Sequence, residues 1–383
     1  MRYFIIAGEA SGDLHASHLM GGLKKKDPEA SFCFFGGELM SEQGGVLLKH
    51  YREMAFMGFF TVLMNLRQIK KNFKLAQDEL LKFNPDVLIL VDYPGFNLRM
   101  AKFAKEHSIK TFYYISPKIW AWKPGRVKWV KNYVDELFTI FPFEKEFYDK
   151  HNYEIRYVGN PTVDELAVRP NRDQTFSSFV AENGLKERPI VALLAGSRRQ
   201  EIKLILPTLA KVAELFPGYQ FVIAGAPSLS LHLYEENMPG KKIPVLFGKT
   251  YELLQQSKAA VVASGTATLE TAVINVPQVV CYIIELGRFT SLLRKLFLKI
   301  QWISLVNLVM NQEIVREFFQ ENCKPEAIAE ELKKILDDSS YREQMLHNYS
   351  LMLAKLGPPG CADRAAEEMV ALLQNRQPFA NAI

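Results

Sequence analysis

Residues 2–19 read RYFIIAGEASGDLHASHL, a short apolar run followed by a turn of small residues and then by helical spacing. The unbroken run from Tyr3 to Ala7 is typical of a strand buried on both faces of a parallel sheet. The turn from Gly8 to Asp13 then opens a helix whose first backbone amides are free. This opening therefore predicts the first strand–turn–helix unit of a doubly wound α/β fold.

The same alternation recurs along the chain and predicts further strands at residues 31–35, 87–91, 111–115, 136–141, 190–195, 220–224 and 259–263. A polar stretch at residues 169–178 interrupts it. We therefore expect two Rossmann-like domains, residues 1–165 and 166–345, which face each other across a ligand cleft. A helical segment, residues 346–383, follows, and the sequence leaves its docking open.

The composition, with 48% hydrophobic and 23% charged residues, is typical of a globular protein. The sequence contains no apolar run of about 18 residues and no signal peptide, so we expect a cytoplasmic protein. The four cysteines are scattered, which fits a reducing compartment and predicts no metal site. The net charge of +5 is modest, and we expect no nucleic-acid partner and no cofactor.

The loops that follow the strands should carry the chemistry, because ligands of doubly wound sheets bind outside the carboxyl ends. Asp92 follows the third predicted strand and is a candidate general base, with an Asx turn before Pro94 as the alternative. Other candidates for substrate binding in this half are polar or aromatic loop residues: Glu9, Ser11, Asn97, Ser116, Trp120, Trp122 and Arg126. A tight turn capped by Ser11 or Asp13 is the alternative for the first loop.

Two loops in the second half suit a nucleoside diphosphate. Gly196, Ser197 and Arg198 combine a helix N-terminus with positive charge, although a solvated basic turn would look the same. A second set, which can bind phosphate and ribose or merely cap a helix, is Ser264, Gly265, Thr266 and Glu270. Since no Walker A loop and no Asp-x-Asp occur, we expect helix dipoles and arginine rather than a protein-bound metal to hold the diphosphate.

Two amphipathic segments place apolar and basic residues side by side, as interfacial helices do. The first runs from Phe59 to Phe73 and the second from Leu286 to Ile300. The apolar side chains expected at an anionic membrane surface are Phe59, Leu63, Leu66, Phe289, Leu293 and Phe297. An ordinary core helix or a contact in a homodimer is the alternative for each segment.

Taken in order, the loops resemble the lipid-A-disaccharide synthase family from Met1 to about Cys323. The resemblance rests on the strings GEASGD (8–13), VDYPGFN (91–97), YISPKIWAW (114–122), FPFEKEFYDK (141–150), VGNP (158–161), LAGSR (194–198), ASGTATLE (263–270) and SLVNL (304–308). It implies a GT-B fold and an inverting transfer of 2,3-diacylglucosamine from its UDP ester to 2,3-diacylglucosamine 1-phosphate. The implied products are a β-1,6 disaccharide and UDP, made on the cytoplasmic face of the inner membrane.

The resemblance also implies roles for individual residues. Asp92 matches an aspartate needed for activity, Arg198 an arginine of the GSR loop and Glu270 a nucleotide-side glutamate. Polar substrate positions are implied at Asn307, Glu313 and Gln320. The chain departs from the family pattern at Gly95, where aspartate is usual, and at Val306, where proline is usual.

Two other functions fit the same sequence. Another GT-B transferase or a UDP-N-acetylglucosamine epimerase would share the sheets and the diphosphate loop. A membrane-surface binding protein with a vestigial nucleotide site would share the amphipathic segments. The WAW loop favours an acylated substrate over the first alternative, and the two nucleotide loops argue against the second.

Overall fold

The computed structural model describes residues 1–54, 64–122, 124–283 and 301–374, without the side chains of residues 121, 122 and 124. Its contacts divide the chain into two compact units. The first contains Met1–Pro161 together with the chain from Pro358 onward, and the second contains Thr162–Gly357. The residues after Pro358, whose docking the sequence left open, therefore belong to the first unit.

The first unit is built on a seven-stranded sheet in the order β3-β2-β1-β4-β5-β6-β7, with every neighbouring pair parallel. The strands are β1 (Arg2–Ala7), β2 (Ser31–Gly36), β3 (Val46–His50), β4 (Val87–Val91), β5 (Thr111–Tyr114), β6 (Glu136–Thr139) and β7 (Arg156–Tyr157). The helices are α1 (Ala10–Lys26), α2 (Glu38–Glu42), α3 (Leu66–Phe83), α4 (Pro94–Glu106), α5 (Ile119–Trp122), α6 (Val127–Tyr133) and α7 (Phe143–Asp149). Strand order reverses between β1 and β4, which marks the ligand crevice of such a sheet.

The second unit repeats this plan with six parallel strands in the order β10-β9-β8-β11-β12-β13. The strands are β8 (Ile190–Leu194), β9 (Gln220–Gly225), β10 (Val245–Phe247), β11 (Ser257–Ala263), β12 (Gln278–Tyr282) and β13 (Glu317–Phe319). The helices are α8 (Pro161–Ala167), α9 (Phe176–Glu182), α10 (Arg199–Glu214), α11 (Leu231–Glu236), α12 (Thr250–Gln255), α13 (Thr266–Val273), α14 (Leu305–Met310), α15 (Pro325–Asp337) and α16 (Ser339–Leu356). Here the order reverses between β8 and β11.

The last helix of the described chain, α17 (Cys361–Gln374), packs along α1 in the first unit. The two helices approach closely at Gly22, where an added Cβ would lie 3.0 Å from the Cβ of Ala366. Cys361 is fully buried, and its thiol lies 3.4 Å from the carbonyl oxygen of Gly159. Ion pairs between Lys25 and Asp363 (3.0 Å) and between Lys26 and Glu367 (2.9 Å) flank the contact.

The first amphipathic segment is described only from residue 64, where α3 is about to begin. The side chain of Leu66 is 46% exposed, whereas Phe73 packs edge-on against Phe96 with 5.5 Å between ring centroids. Some apolar side chains of α3 therefore face solvent, and others pack into the core. The predicted membrane residues Phe59, Leu63, Phe289, Leu293 and Phe297 lie outside the described residues. Within the described ranges, no helix has the length and apolar character needed to cross a bilayer.

Candidate active site

Asp92 lies directly after β4, at the reversal of strand order in the first unit. Asp92 (φ 43°) and Tyr93 (φ 48°) both adopt left-handed backbone conformations, which are costly for non-glycine residues and cluster at functional sites. Burial raises the pKa of the Asp92 carboxyl, and the positive charge of Lys118 opposes that effect. A carboxylate with a raised pKa is a stronger base, which is the property a proton acceptor needs.

Hydrogen bonds from two side chains hold the backbone of Asp92 in place. Its carbonyl oxygen accepts hydrogen bonds from the Tyr113 hydroxyl and from Nδ2 of Asn97 (2.8 Å). Asn97 is fully buried, and the same nitrogen lies 3.2 Å from the carbonyl oxygen of Val91. The side-chain nitrogen of Asn97 thus positions Asp92, whereas the buried Oδ1 has no hydrogen-bond partner among the described residues and can still serve a ligand.

The loop after β1 packs against the loop of Asp92. A Cβ at Gly8 would lie 2.3 Å from the ring of Tyr93, so this position requires glycine. Burial raises the pKa of Tyr93, and the negative charge of Glu9 raises it further, which places Glu9 beside the same loop. Ser11 is exposed in the first turn of α1.

Asp13 caps a neighbouring helix instead of its own. Its buried carboxylate accepts hydrogen bonds from the backbone amides of Gly37 (2.7 Å) and Met40 (3.2 Å) at the start of α2. Asp13 is therefore a helix cap, as the alternative reading of the first loop expected, but it caps α2 and not α1.

Ser116 and Glu144 form a buried polar cluster beyond β5 and β6. The Ser116 hydroxyl hydrogen-bonds the hydroxyl of Tyr148 at 2.8 Å. The Glu144 carboxylate accepts the backbone amides of Ile140 (3.3 Å) and Phe141 (3.0 Å), and burial raises its pKa to about 7. Sequence reasoning missed Glu144, because one glutamate in the first turn of a helix ordinarily signals a solvated charge.

Trp120 lies in the short helix α5 with its ring edge-on to Phe143, at 4.9 Å between centroids. Its buried indole N–H has no hydrogen-bond partner among the described residues, so it can donate to a ligand. The Trp122 side chain lies outside the described part of the chain. Arg126 ends a short 3-10 helix and is partly exposed.

In the second unit, the GSR loop follows β8 at the reversal of strand order. Gly196 has a φ of 107°, and a Cβ there would lie 2.4 Å from the carboxylate of Glu201. That carboxylate accepts the backbone amides of Ser197 (2.8 Å) and Arg198 (3.2 Å), as in a capping box. These two amides, expected to hold a diphosphate, are thus occupied by Glu201, while the Arg198 side chain is 71% exposed.

The second nucleotide loop follows β11, the neighbour of β8 across that reversal. Gly265 and Thr266 are exposed at the start of α13, and the Ser264 hydroxyl lies 3.5 Å from the carbonyl oxygen of Ile303. Burial raises the pKa of Glu270, while the Thr266 side chain lowers it. The structure therefore brings both predicted nucleotide loops to one edge of the second sheet.

The three residues after α13 that the family resemblance implied, Asn307, Glu313 and Gln320, have different surroundings. Asn307 is fully buried: Nδ2 donates to Val315 and Glu317 (2.8 Å each), and Oδ1 accepts the amides of Ile314 (2.8 Å) and Val315 (3.0 Å). All four hydrogen-bonding positions of its amide are used, so Asn307 supports the fold and has none left for a substrate.

Glu313 precedes β13 and so lies at the amino edge of the sheet, away from the carboxyl ends, where it pairs with Arg316 at 3.0 Å. The strand-end rule therefore does not favour Glu313 as a substrate residue. Gln320 follows β13 directly and lies at the carboxyl edge, with a φ of 52°. Across the described ranges, no three His, Cys, Asp or Glu side chains gather as a metal site would need.

Comparison with known proteins identifies relatives along the whole chain. A family model described as lipid-A-disaccharide synthetase matches residues 3–367. The lipid-A-disaccharide synthase of Myxococcus xanthus is 39% identical over 97% of this chain and 97% of that protein. The protein of the same name from Coxiella burnetii is 34% identical, again over 97% of both chains.

Solved structures with the same fold are more distant in sequence. A UDP-GlcNAc 2-epimerase from Neisseria meningitidis, bound to UDP-GlcNAc, superposes with a TM-score of 0.62 at 13% identity and covers 98% of this chain and 100% of its own. The calicheamicin glycosyltransferase gives 0.61 at 15% identity, with 99% and 100% covered. At such identities the likeness concerns the fold alone, and with the two parallel sheets it confirms the expected GT-B class.

Proposed function

The chain belongs to the lipid-A-disaccharide synthase family, and from this premise we propose that it transfers 2,3-diacylglucosamine from its UDP ester to 2,3-diacylglucosamine 1-phosphate. The products are a β-1,6 disaccharide 1-phosphate and UDP. The observation that carries the proposal is the position of Asp92, a partly buried carboxyl with a raised pKa at the strand reversal of the first sheet.

On the acceptor side, Asp92 takes the proton of the 6-hydroxyl as that oxygen attacks the anomeric carbon of the donor. The new C–O bond forms as the bond to UDP breaks, and the single displacement inverts the anomeric centre. Tyr113 and Asn97 hold the backbone of Asp92, and the Trp120 indole N–H is available to a sugar oxygen. Glu9, Ser11, Ser116, Trp122 and Arg126 remain substrate candidates of this side, with Ser116 acting through Tyr148.

On the donor side, Arg198 and the N-terminus of α13 stabilise the departing diphosphate. The exposed Arg198 guanidinium can form charge-assisted bonds to phosphate oxygens, and Thr266 with Gly265 offers amides at the neighbouring helix. We exclude the Ser197 and Arg198 amides from this role while Glu201 accepts them. Glu270 accepts hydrogen bonds from the ribose hydroxyls, and Ser264 and Gln320 lie at the same edge.

We further propose that the protein works at the anionic cytoplasmic face of the inner membrane, where both acylated substrates reside. Support comes from Leu66, which is exposed at the start of α3 beside exposed Arg67 and Lys70. An apolar side chain next to cations suits insertion among anionic head groups. A homodimer contact through the same surface is the alternative.

The proposal is tested by incubating the protein with UDP-2,3-diacylglucosamine and the 1-phosphate acceptor, with and without EDTA. Disaccharide and UDP should form in equal amounts, and the chelator should leave the rate unchanged, because arginine and helix amides neutralise the leaving group. Conversion of a UDP-sugar to its epimer without disaccharide would instead identify an epimerase. A rate abolished by EDTA and restored by magnesium would refute the metal-independent step.

A further inference from the structure

An apolar groove lies between α3 and α4 in the first unit, immediately beside the Asp92 loop. Its volume is about 370 Å³, and its apolar walls are formed by Leu66, Ile69, Phe73, Tyr93 and Phe96. Phe96 stacks on Tyr93 with 5.8 Å between ring centroids. Because Tyr93 directly follows Asp92 in the chain, the groove extends to the Asp92 loop. Gly95 completes the wall at the second residue of α4.

Cations surround this groove. Lys70, Lys74 and Arg99 line its rim, and all three are exposed. Lys74 pairs with Asp78 at 3.3 Å, whereas Lys70 and Arg99 have no carboxylate partner in the described part of the chain. An apolar trough with two uncompensated positive charges at its edge suits a ligand in which an acyl chain and a phosphate are neighbours.

We propose that this groove is the acceptor subsite: one acyl chain of the acceptor lies between α3 and α4, and its phosphate is held by Lys70 and Arg99. The inference rests on the proposed function, in which the acceptor carries a phosphate at C1 and an acyl chain at the adjacent C2. The same sugar then presents its 6-hydroxyl toward Asp92, because Tyr93 and Gly95 join the groove to the Asp92 loop.

Gly95 gives this subsite its open wall. No atom lies within 4 Å of a Cβ built there, so a larger side chain fits without strain at a position that lines the groove. Gly95→Leu should therefore fill part of the groove while the chain folds normally. Gly218→Leu is the matched control, because Gly218 is exposed in the second unit and has equally open surroundings.

The test measures equilibrium binding of the acceptor in detergent micelles without the donor, so that it does not depend on turnover. A series of acceptors with shortened acyl chains is used, since each methylene that enters an apolar site changes affinity by up to about fourfold. Partition into micelles also depends on chain length, but it is the same for every variant. We expect Gly95→Leu to flatten the dependence on chain length relative to the parent and to Gly218→Leu.

A second arm tests the phosphate. The pair Lys70→Gln with Arg99→Gln should weaken binding of the phosphorylated acceptor about tenfold or more and leave binding of the dephosphorylated one unchanged. Lys102→Gln is the control, because Lys102 is an exposed lysine on α4, the helix that contains Arg99. Vesicle binding is measured in parallel.

The outcomes separate this inference from the proposed function. If the parent forms disaccharide but the groove variants bind the acceptor as the parent does, the function stands and the acceptor subsite is refuted. It is also refuted if the variants lose only vesicle binding, because the groove then holds a bilayer lipid. If the parent binds the acceptor through the groove but forms no disaccharide, the proposed function fails and the subsite stands.

Discussion

Replacing Glu144 by glutamine should change how the stability of the protein depends on pH. The Glu144 carboxyl is fully buried, and its pKa rises from an ordinary 4.5 to about 7 in the folded chain because burial disfavours the charged form. A pKa difference of one corresponds to about 1.4 kcal/mol, so ionising this group in the folded state costs about 3 kcal/mol relative to the unfolded chain.

The sign follows from the raised pKa. The contribution of the neutral Glu144 carboxyl to stability is complete below about pH 4.5 and is lost as the pH rises through about 7. Glutamine stays neutral at every pH and can still accept the amides of Ile140 and Phe141. The unfolding free energy of Glu144→Gln minus that of the parent should therefore increase by about 3 kcal/mol between about pH 4 and pH 8.

Urea unfolding at a series of pH values measures this difference, and other titrating groups cancel because both proteins contain them. Glu146→Gln is the control, since Glu146 is exposed on the same helix and its replacement should give a difference that varies little with pH. A difference for Glu144→Gln that stays constant, or that falls as the pH rises, would refute the account of this buried carboxyl.

Four further outcomes follow from the packing and the surface. Asn307→Ala should lower the unfolding free energy by about 1–3 kcal/mol for each buried amide left unpaired, while substrate KM in the folded enzyme stays unchanged; a selective rise in KM would restore a binding role. Asn97→Ala should lower kcat with little effect on UDP affinity, because it frees the backbone of Asp92, and an unchanged kcat would contradict this. Gly22→Val should lower the free energy of unfolding by about 1–3 kcal/mol and make α17 susceptible to limited proteolysis. Normal protease resistance would instead show that α1 and α17 can move apart enough to admit the side chain without loss of stability. Leu66→Glu should weaken sedimentation with anionic vesicles, and Leu81→Glu, at an equally exposed site on the same helix, should not; equal sedimentation would place the membrane surface elsewhere.

Most of the fold could be predicted because the central strands are unbroken apolar runs. The strands predicted at 31–35 and 87–91 appear at Ser31–Gly36 and Val87–Val91, and the others lie within a few residues of their expected positions. The short strand β7 has only two residues, and β3 is largely exposed. β7 is too short to leave an apolar pattern, whereas β3 (VLLKH) and the buried β12 (QVVCY) contain apolar runs that the prediction did not include.

The candidate site could be predicted as a set of loops but not as a set of contacts. The strand-end rule placed Asp92 and the GSR loop after the carboxyl ends of strands, and both lie there in the structure, where strand order also reverses. It could not show that the side chain of Asn97 is buried and supports the loop. The family resemblance, which implied a substrate role for Asn307, could not show that all the hydrogen bonds of its side-chain amide are made within the protein. The partner of such a residue comes from a distant segment, as when the nitrogen of Asn97 reaches toward Ile6.

The central claim, that Asp92 accepts the proton of the acceptor hydroxyl, is tested most directly by single-turnover formation of disaccharide in Asp92→Asn. The asparagine keeps the size of the side chain and removes the base, so the rate should fall about 10²- to 10⁴-fold. UDP binding, measured on the same preparation, should match the parent. A single-turnover rate close to that of the parent, in a folded variant that binds UDP, would contradict the account.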